Sequence, residues 1–250
     1  MMRAVGRTLA VFDCFSEDLP SLSLQAIANR VRLPKSTTFR LVQSLDEAGY
    51  LVRLDNQEYC LSFKFVRLAG LVKTNLDIRR IARSVMEEAA RASGETVTLN
   101  TARGRERVCI DVVDTPSPLM SIAKPGEHRP LVDGATAKLL LAYLPRSESK
   151  DAVNFALRVS GQRRSELLAE LDRVRRQGYA VTHGERVLGL TAVAAPVRDT
   201  EEDGKYCIAI AGPTARMKPR ISEHVRIAVR AGDEVSRRLG ARSKNAGVEK

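Results

Sequence analysis

The stretch SLQAIANRVRLPKSTTFRLVQSLDEAGYL, residues 23–51, decides how the first third of the chain folds. Ser23 is a natural N-cap in front of Leu24, Ile27, Ala28 and Val31, whose helical spacing predicts a short helix over 24–31. Arg32-Leu33 leaves room for only a brief turn. Pro34 suits the first position of a second helix, which runs to about Ala48 and stops at Gly49, a residue suited to a left-handed cap. The second helix has two faces. Thr38, Leu41, Val42 and Leu45 form an inward stripe. Ser36, Thr37, Arg40 and Gln43 stand opposite, with Lys35 at the start and Phe39 beside the polar face. From Ser21 to Leu45 there are four basic residues, Arg30, Arg32, Lys35 and Arg40, and no acid, so this window meets phosphates without like-charge opposition.

Upstream, Val5, Leu9 and Phe12 predict a first helix over residues 4–15. Downstream, strand-like runs at 50–54 and 58–61 flank Asp55-Asn56-Gln57, a turn composition. Helix, helix, turn, helix and hairpin within about sixty residues is the pattern of a winged helix-turn-helix. In that motif the N-terminal residues of the last helix meet base edges in the major groove. Arg40 has the fork that pairs with guanine O6 and N7, and Phe39 suits a thymine methyl. Ser36, Thr37 and Gln43 supply hydrogen bonds. Lys35, Arg30 and Arg32 suit phosphates, and Arg53 in the wing suits the backbone or the minor groove.

Beyond residue 62 the pattern changes. A helical stretch from Phe63 to about Val72 leads to a longer helix near 76–92, and the domain boundary is expected at about 72/73. Strands are expected at 96–101, 107–113, 179–182, 191–197 and 205–211, and helices at 135–144, 163–177 and 221–239. This makes an α+β second domain, followed by a polar tail from Ala241 for which no fixed structure is expected. The chain is 44% hydrophobic and 28% charged, an ordinary globular composition. No apolar run reaches the ~20 residues of a membrane span, and Arg3, Arg7 and Asp13 interrupt any signal-peptide core. A cytoplasmic location without membrane partners is expected. Cys14, Cys60, Cys109 and Cys207 form no C-x-x-C pair and read as buried free thiols. His128, His183 and His224 lack metal-ligand spacing. No cofactor is expected. The net charge is +11, but residues 1–70 carry nine Lys/Arg against seven Asp/Glu, a net of only +2. Affinity for DNA must therefore come from a local surface.

Segment 23–51 resembles the IclR family of bacterial regulators, with Arg32-Leu-Pro-Lys-Ser-Thr37 in place of Gly-Leu-Pro-Lys-Ser-Thr, then Arg40-Leu and Gly49-Tyr-Leu51. The resemblance continues through Pro125-Gly-Glu-His-Arg-Pro-Leu131, Ala135-Thr-Ala-Lys-Leu-Leu-Leu-Ala142, Gly178-Tyr179, Glu185, Gly189-Leu190, Ala194-Ala-Pro-Val197 and Ala211-Gly-Pro213. It implies an N-terminal winged helix-turn-helix, a linker helix at about 63–75 and a C-terminal GAF-like effector-binding and oligomerisation domain. It further implies a homodimer or homotetramer on double-stranded, palindromic operator DNA, controlled by a small organic or aromatic acid. By the same resemblance, the effector meets Ala135 and Thr136 at a helix start, then Thr182, Leu190, Ala192, Ala209 and Ala211, with Met120 on an apolar wall. Members that bind small keto acids have an acidic residue, a Cys and two Ser where this chain has Thr182, Ala192, Ala209 and Ala211, which predicts a larger, more apolar pocket. The alanines read equally well as small core residues.

Repression is the expected sign of control, and activation is the alternative. An architectural DNA binder is disfavoured by the small charge of the first domain. Catalysis is disfavoured because no nucleophile elbow, phosphate loop or paired-Cys site occurs. Asp111 with Asp114, and His183 with Glu185, are the nearest approaches to an acid/base pair.

Overall fold

The computed structural model describes residues 3–16, 18–68, 77–115, 117, 123–199 and 205–241. The chain forms two compact units, Met1–Leu76 and Asp77–Lys250.

The first unit contains α1 (Arg3–Phe12), β1 (Ser21–Ser23), α2 (Leu24–Val31), α3 (Lys35–Glu47), β2 (Leu51–Arg53) and β3 (Glu58–Leu61). Ser23 caps α2 as the sequence predicts, its Oγ accepting from Ala26 N–H at 3.2 Å. Pro34 takes the cap position of α3 rather than the first helical one. Its carbonyl accepts from Thr38 N–H at 3.0 Å and from the Thr38 hydroxyl at 3.2 Å. Thr38, Val42 and Leu45 are the buried stripe of α3, while Leu41 is only half-buried. Val42 and Leu45 join Val11, Ile27, Leu51 and Tyr59 in one core. Each large aliphatic side chain buried there stabilises the unit by roughly 1.5–3 kcal/mol. The wing is a three-stranded sheet in the order β1-β3-β2. The three-residue β1 is invisible to periodicity and exists by pairing with β3. Residues 64–68 are helical and pack back through Phe65, which meets Phe12 at 5.1 Å and Tyr50 at 5.7 Å between ring centroids. The rest of the expected linker helix, 69–76, lies outside the described residues, as does the tail from 242.

The second unit is one antiparallel sheet between two helical layers. Its strands are β4 (Thr96–Arg103), β5 (Glu106–Val113), β6 (His128–Pro130), β7 (Ala180–His183), β8 (Leu190–Val197) and β9 (Tyr206–Pro213), in the order β6-β5-β4-β9-β8-β7. Its helices are α4 (Ile78–Ser93), α5 (Gly134–Tyr143), α6 (Arg146–Ser160), α7 (Arg164–Gln177), the single turn α8 (Thr214–Met217) and α9 (Ile221–Arg238). The two faces of the sheet carry different cores. Val193, Val197, Ile208 and Ile210 pack with α4 and α9. Ala194, Cys207 and Ala209, of opposite pleat, pack with α5, α6 and α7. Helix α9 lies so close to β8 that a Cβ on Gly232 would stand 2.5 Å from the Pro196 carbonyl oxygen.

Four elements were not expected from the sequence: β1, β6, α6 and the single turn α8. Helix α6 buries only Ala152, Val153 and Ala156, a stripe too thin to stand out among its charges. Its limits were nonetheless marked, by Pro145 in front and Gly161, at φ 68°, behind. Cys14, Cys109 and Cys207 are buried free thiols, but Cys60, on the short wing strand, is only half-buried.

Arg32 ends α2 at φ 54°, ψ 45°, in the left-handed region. Its Cβ makes that conformation costly by ~1–2 kcal/mol, and glycine's extra freedom in the unfolded chain returns part of the difference. Arg32→Gly is therefore expected to raise stability by about 0.5–1 kcal/mol in urea unfolding; a loss of stability would show that the arginine side chain holds the turn.

His224 on α9 is buried, and its Nδ1 has no hydrogen-bond partner among the described residues. Burial, then the nearby Arg220, pull its pKa below the usual 6.5, against the opposing pull of Glu95 and Glu223. A depressed histidine pKa means the unfolded chain binds the proton first. This contribution to stability is complete above neutral pH and is lost as pH falls through 6.5 towards the folded value. The wild type should thus lose more melting temperature than His224→Leu between pH 7.5 and 5.5, and parallel curves would show that His224 does not titrate in this way.

Candidate functional site

Two surfaces gather the residues singled out from sequence. The first is the outer face of α3. Lys35, Ser36, Phe39, Arg40 and Gln43 are exposed along it, and Thr37 is half-buried. Phe39 leaves 45% of its surface in solvent, consistent with its place off the apolar stripe. Gln43 donates to Glu47 Oε1 at 3.1 Å, and the Ser44 hydroxyl to the Arg40 carbonyl at 2.9 Å. Arg30 is exposed near the end of α2. Arg53 is exposed on β2, where it hydrogen-bonds Gln57 and lies over the Tyr59 ring at 5.9 Å. Basic and polar groups thus stand on one side of a helix whose other side is locked into the core. The free N-terminal turn of α3 carries no acidic side chain.

The second is a cavity of about 40 Å³ between the start of α5 and the small-residue face of the sheet. Ala135, Thr136, Thr182, Leu190, Ala192, Ala209 and Ala211 all line it. Residues from a helix and three strands, dispersed over 77 positions of sequence, therefore meet in one place. Met120 lies outside the described residues. On β8 and β9 Ala192, Ala209 and Ala211 alternate with the branched residues of the opposite face; Ala209 is buried in the core as well as lining the cavity, Ala192 packs against that core, and Ala211 is half-buried.

One donor at this cavity is already taken, and one expectation about its lining is corrected. The Ala135 amide is not a free donor, because it already donates to Thr182 Oγ1 at 3.0 Å. Nor is the lining simply apolar, because Arg107, Arg186, Asp133 and Glu185 also line it. Arg107 sits on β5, and only cross-strand pairing reveals its burial. Nothing in the local sequence sets it apart, because the same strand also carries Glu106 and Asp111. Glu185 and the buried Lys138 of α5 form an ion pair at 2.7 Å, and the same ammonium reaches Glu170 of α7 at 2.7 Å. Burial pulls the Lys138 pKa down, but the two carboxylates outweigh it and hold the ammonium above its usual value.

Neither suspected acid/base pair is assembled. His183 Nδ1 is 2.9 Å from Thr191 Oγ1, and Glu185 belongs to Lys138. Asp111 pairs with Arg83 at 3.3 Å. Burial, above all, pushes the Cys109 thiol to about 11 and the Cys207 thiol to about 12, which makes both poor nucleophiles at neutral pH. Among the described residues no group of three or more His, Cys, Asp or Glu is placed to hold a metal, and no helix is long and apolar enough to cross a membrane.

The chain matches the family described as IclR helix-turn-helix domain over residues 4–55 and Bacterial transcriptional regulator IclR C-terminal over residues 71–237. It is 30% identical over 247 residues to the HTH-type transcriptional regulator KipR of Bacillus subtilis, covering 95% of this chain and 97% of the relative. It is 29% identical over 222 residues to the HTH-type transcriptional repressor AllR of Salmonella typhi, covering 86% and 81%. The fold is shared with a crystallised regulator assigned to IclR from Silicibacter sp. TM1040, at TM-score 0.81, 23% identity and 98% of both chains. The chain belongs to the IclR family of bacterial transcriptional regulators and is a ligand-responsive, DNA-binding regulator, not an enzyme.

Proposed function

We propose that this regulator represses a catabolic operon as a homodimer or pair of dimers, and that an organic acid bound in the α5 cavity relieves the repression. The observation that carries the reading is the exposed face of α3, where Lys35, Ser36, Thr37, Phe39, Arg40 and Gln43 stand clear of acidic groups at the helix start. Arg40 reads guanine, Ser36, Thr37 and Gln43 bond to bases or phosphates, and Phe39 meets a thymine methyl. Lys35, Arg30 and Arg53 hold the backbone. Repression follows the printed function of AllR. The DNA-binding domain is assigned to residues 1–72 and the effector and oligomerisation domain to 73–250. The cytoplasm is the compartment in which such a protein meets its operator. Effector binding regulates only if the acid has different affinities for the DNA-competent and incompetent states.

The test is fluorescence anisotropy at near-physiological salt, with DNA from upstream of the regulator's own gene and a scrambled duplex. A preference of at least ~10³-fold for the upstream DNA is expected. Arg40→Ala should weaken specific binding by ~1–3 kcal/mol and relax preference at one base pair. An equal loss on both duplexes would make Arg40 a phosphate contact, and equal wild-type affinity for both would remove specific repression at this promoter.

A further inference from the structure

Arg107 is a buried cation to which no carboxylate is bonded among the described residues. It is 8% exposed, and among the described residues its one hydrogen bond is from a guanidinium nitrogen to Asn100 Oδ1, at 3.2 Å. The chain treats its other described buried ions differently. Lys138 has Glu170 and Glu185, and Glu95 takes a two-pronged bond from Arg216 at 2.8 Å on each arm. A buried charge is tolerated when paired and is costly when not.

The surroundings do not supply the missing charge. Arg186 lines the same cavity and is a second cation; with burial, it depresses the pKa of Arg107. Glu127, whose field reaches Arg107, is held by Arg129 at 2.8 Å. Of the acids lining the cavity, Glu185 is committed to Lys138 and Asp133 is exposed. Arg186 also borders the start of α5: a Cβ on Gly134 would lie 3.7 Å from its own. The positive end of that helix adds to the same field. Two guanidinium groups and a helix start thus surround one small space.

We propose that the effector is a compact dicarboxylate and that Arg107 determines this specificity. One carboxylate takes the two-pronged bond of Arg107, and the other sits between Arg186 and the start of α5. The proposal rests on the reading that an acid effector occupies this cavity. A monoacid leaves one guanidinium without a counter-ion, and the dianion satisfies both. Arginine suits the task because its planar fork matches a carboxylate and cannot shed its charge.

The experiment uses the full chain and isothermal titration at fixed ionic strength. The ligands are the straight-chain dicarboxylates from malonate to pimelate and the benzene dicarboxylates, each beside its matched monoacid. At least one dicarboxylate is expected to bind about tenfold or more tighter than its monoacid, the scale of one charge-assisted bond. Arg107→Met should abolish that preference without lowering the ligand-free melting temperature, because it removes an unpaired buried charge. Arg186→Ala should weaken the dicarboxylate alone. If monoacids and dicarboxylates bind the wild type alike, or Arg107→Met keeps the preference, the dicarboxylate assignment falls and the acid effector stands. If no acid of either kind binds, both fall.

Discussion

Along β8 and β9 the side chains facing α5 are small, Ala192, Ala194, Cys207, Ala209 and Ala211, while those facing α4 and α9 are Val193, Val197, Ile208 and Ile210. A pleated strand admits no third choice, and a slip of one residue would exchange the two sets. The branched face makes the tight core under α9, close enough to require Gly232. The small face leaves volume that α5 only partly refills, and what is left is the cavity. One period-two pattern therefore makes both the stability of the second unit and its site. Enlarging an alanine on the small face would fill the cavity without touching the other core.

How legible this was from sequence depended on whether the signal was local. Helix α2 has its cap and its stripe within nine residues, so its limits could be read directly. The polar face of α3 followed from the same spacing. Strands β4, β5, β7, β8 and β9 were readable as apolar runs to within one to three residues. The three-residue strands β1 and β6 were not, because their partners alone define them. The cavity residues came from resemblance, since nothing in the local surroundings of Thr182 or Ala209 says that they meet.

Arg107 marks the limit of such reading most clearly. In sequence it is one of 41 Lys/Arg. Its meaning comes from β5 pairing with β4, where the register shifts between Leu99 and Asn100 and Asn100 reaches its guanidinium. The expected apolar pocket followed from counting lost polar groups at aligned positions. The cations that change its character come from a strand and a loop that the motif positions did not include.

The size of the cavity bears on regulation. About 40 Å³ holds a few waters, a close fit for a compact dicarboxylate. The proposed dicarboxylate would therefore press on the cavity walls as it enters. Those walls are unequal. The floor is sheet and the start of α5 is bonded to Thr182, whereas residues 184–189 carry Arg186 together with Leu188, which is 92% exposed. Glu185 ties this loop to Lys138, and through Lys138 to Glu170 on α7. A displaced loop thus acts on the ion pairs of the buried Lys138. Such a displacement controls DNA binding only if the two loop positions differ in affinity for the operator as well as for the acid, which is the condition linkage sets.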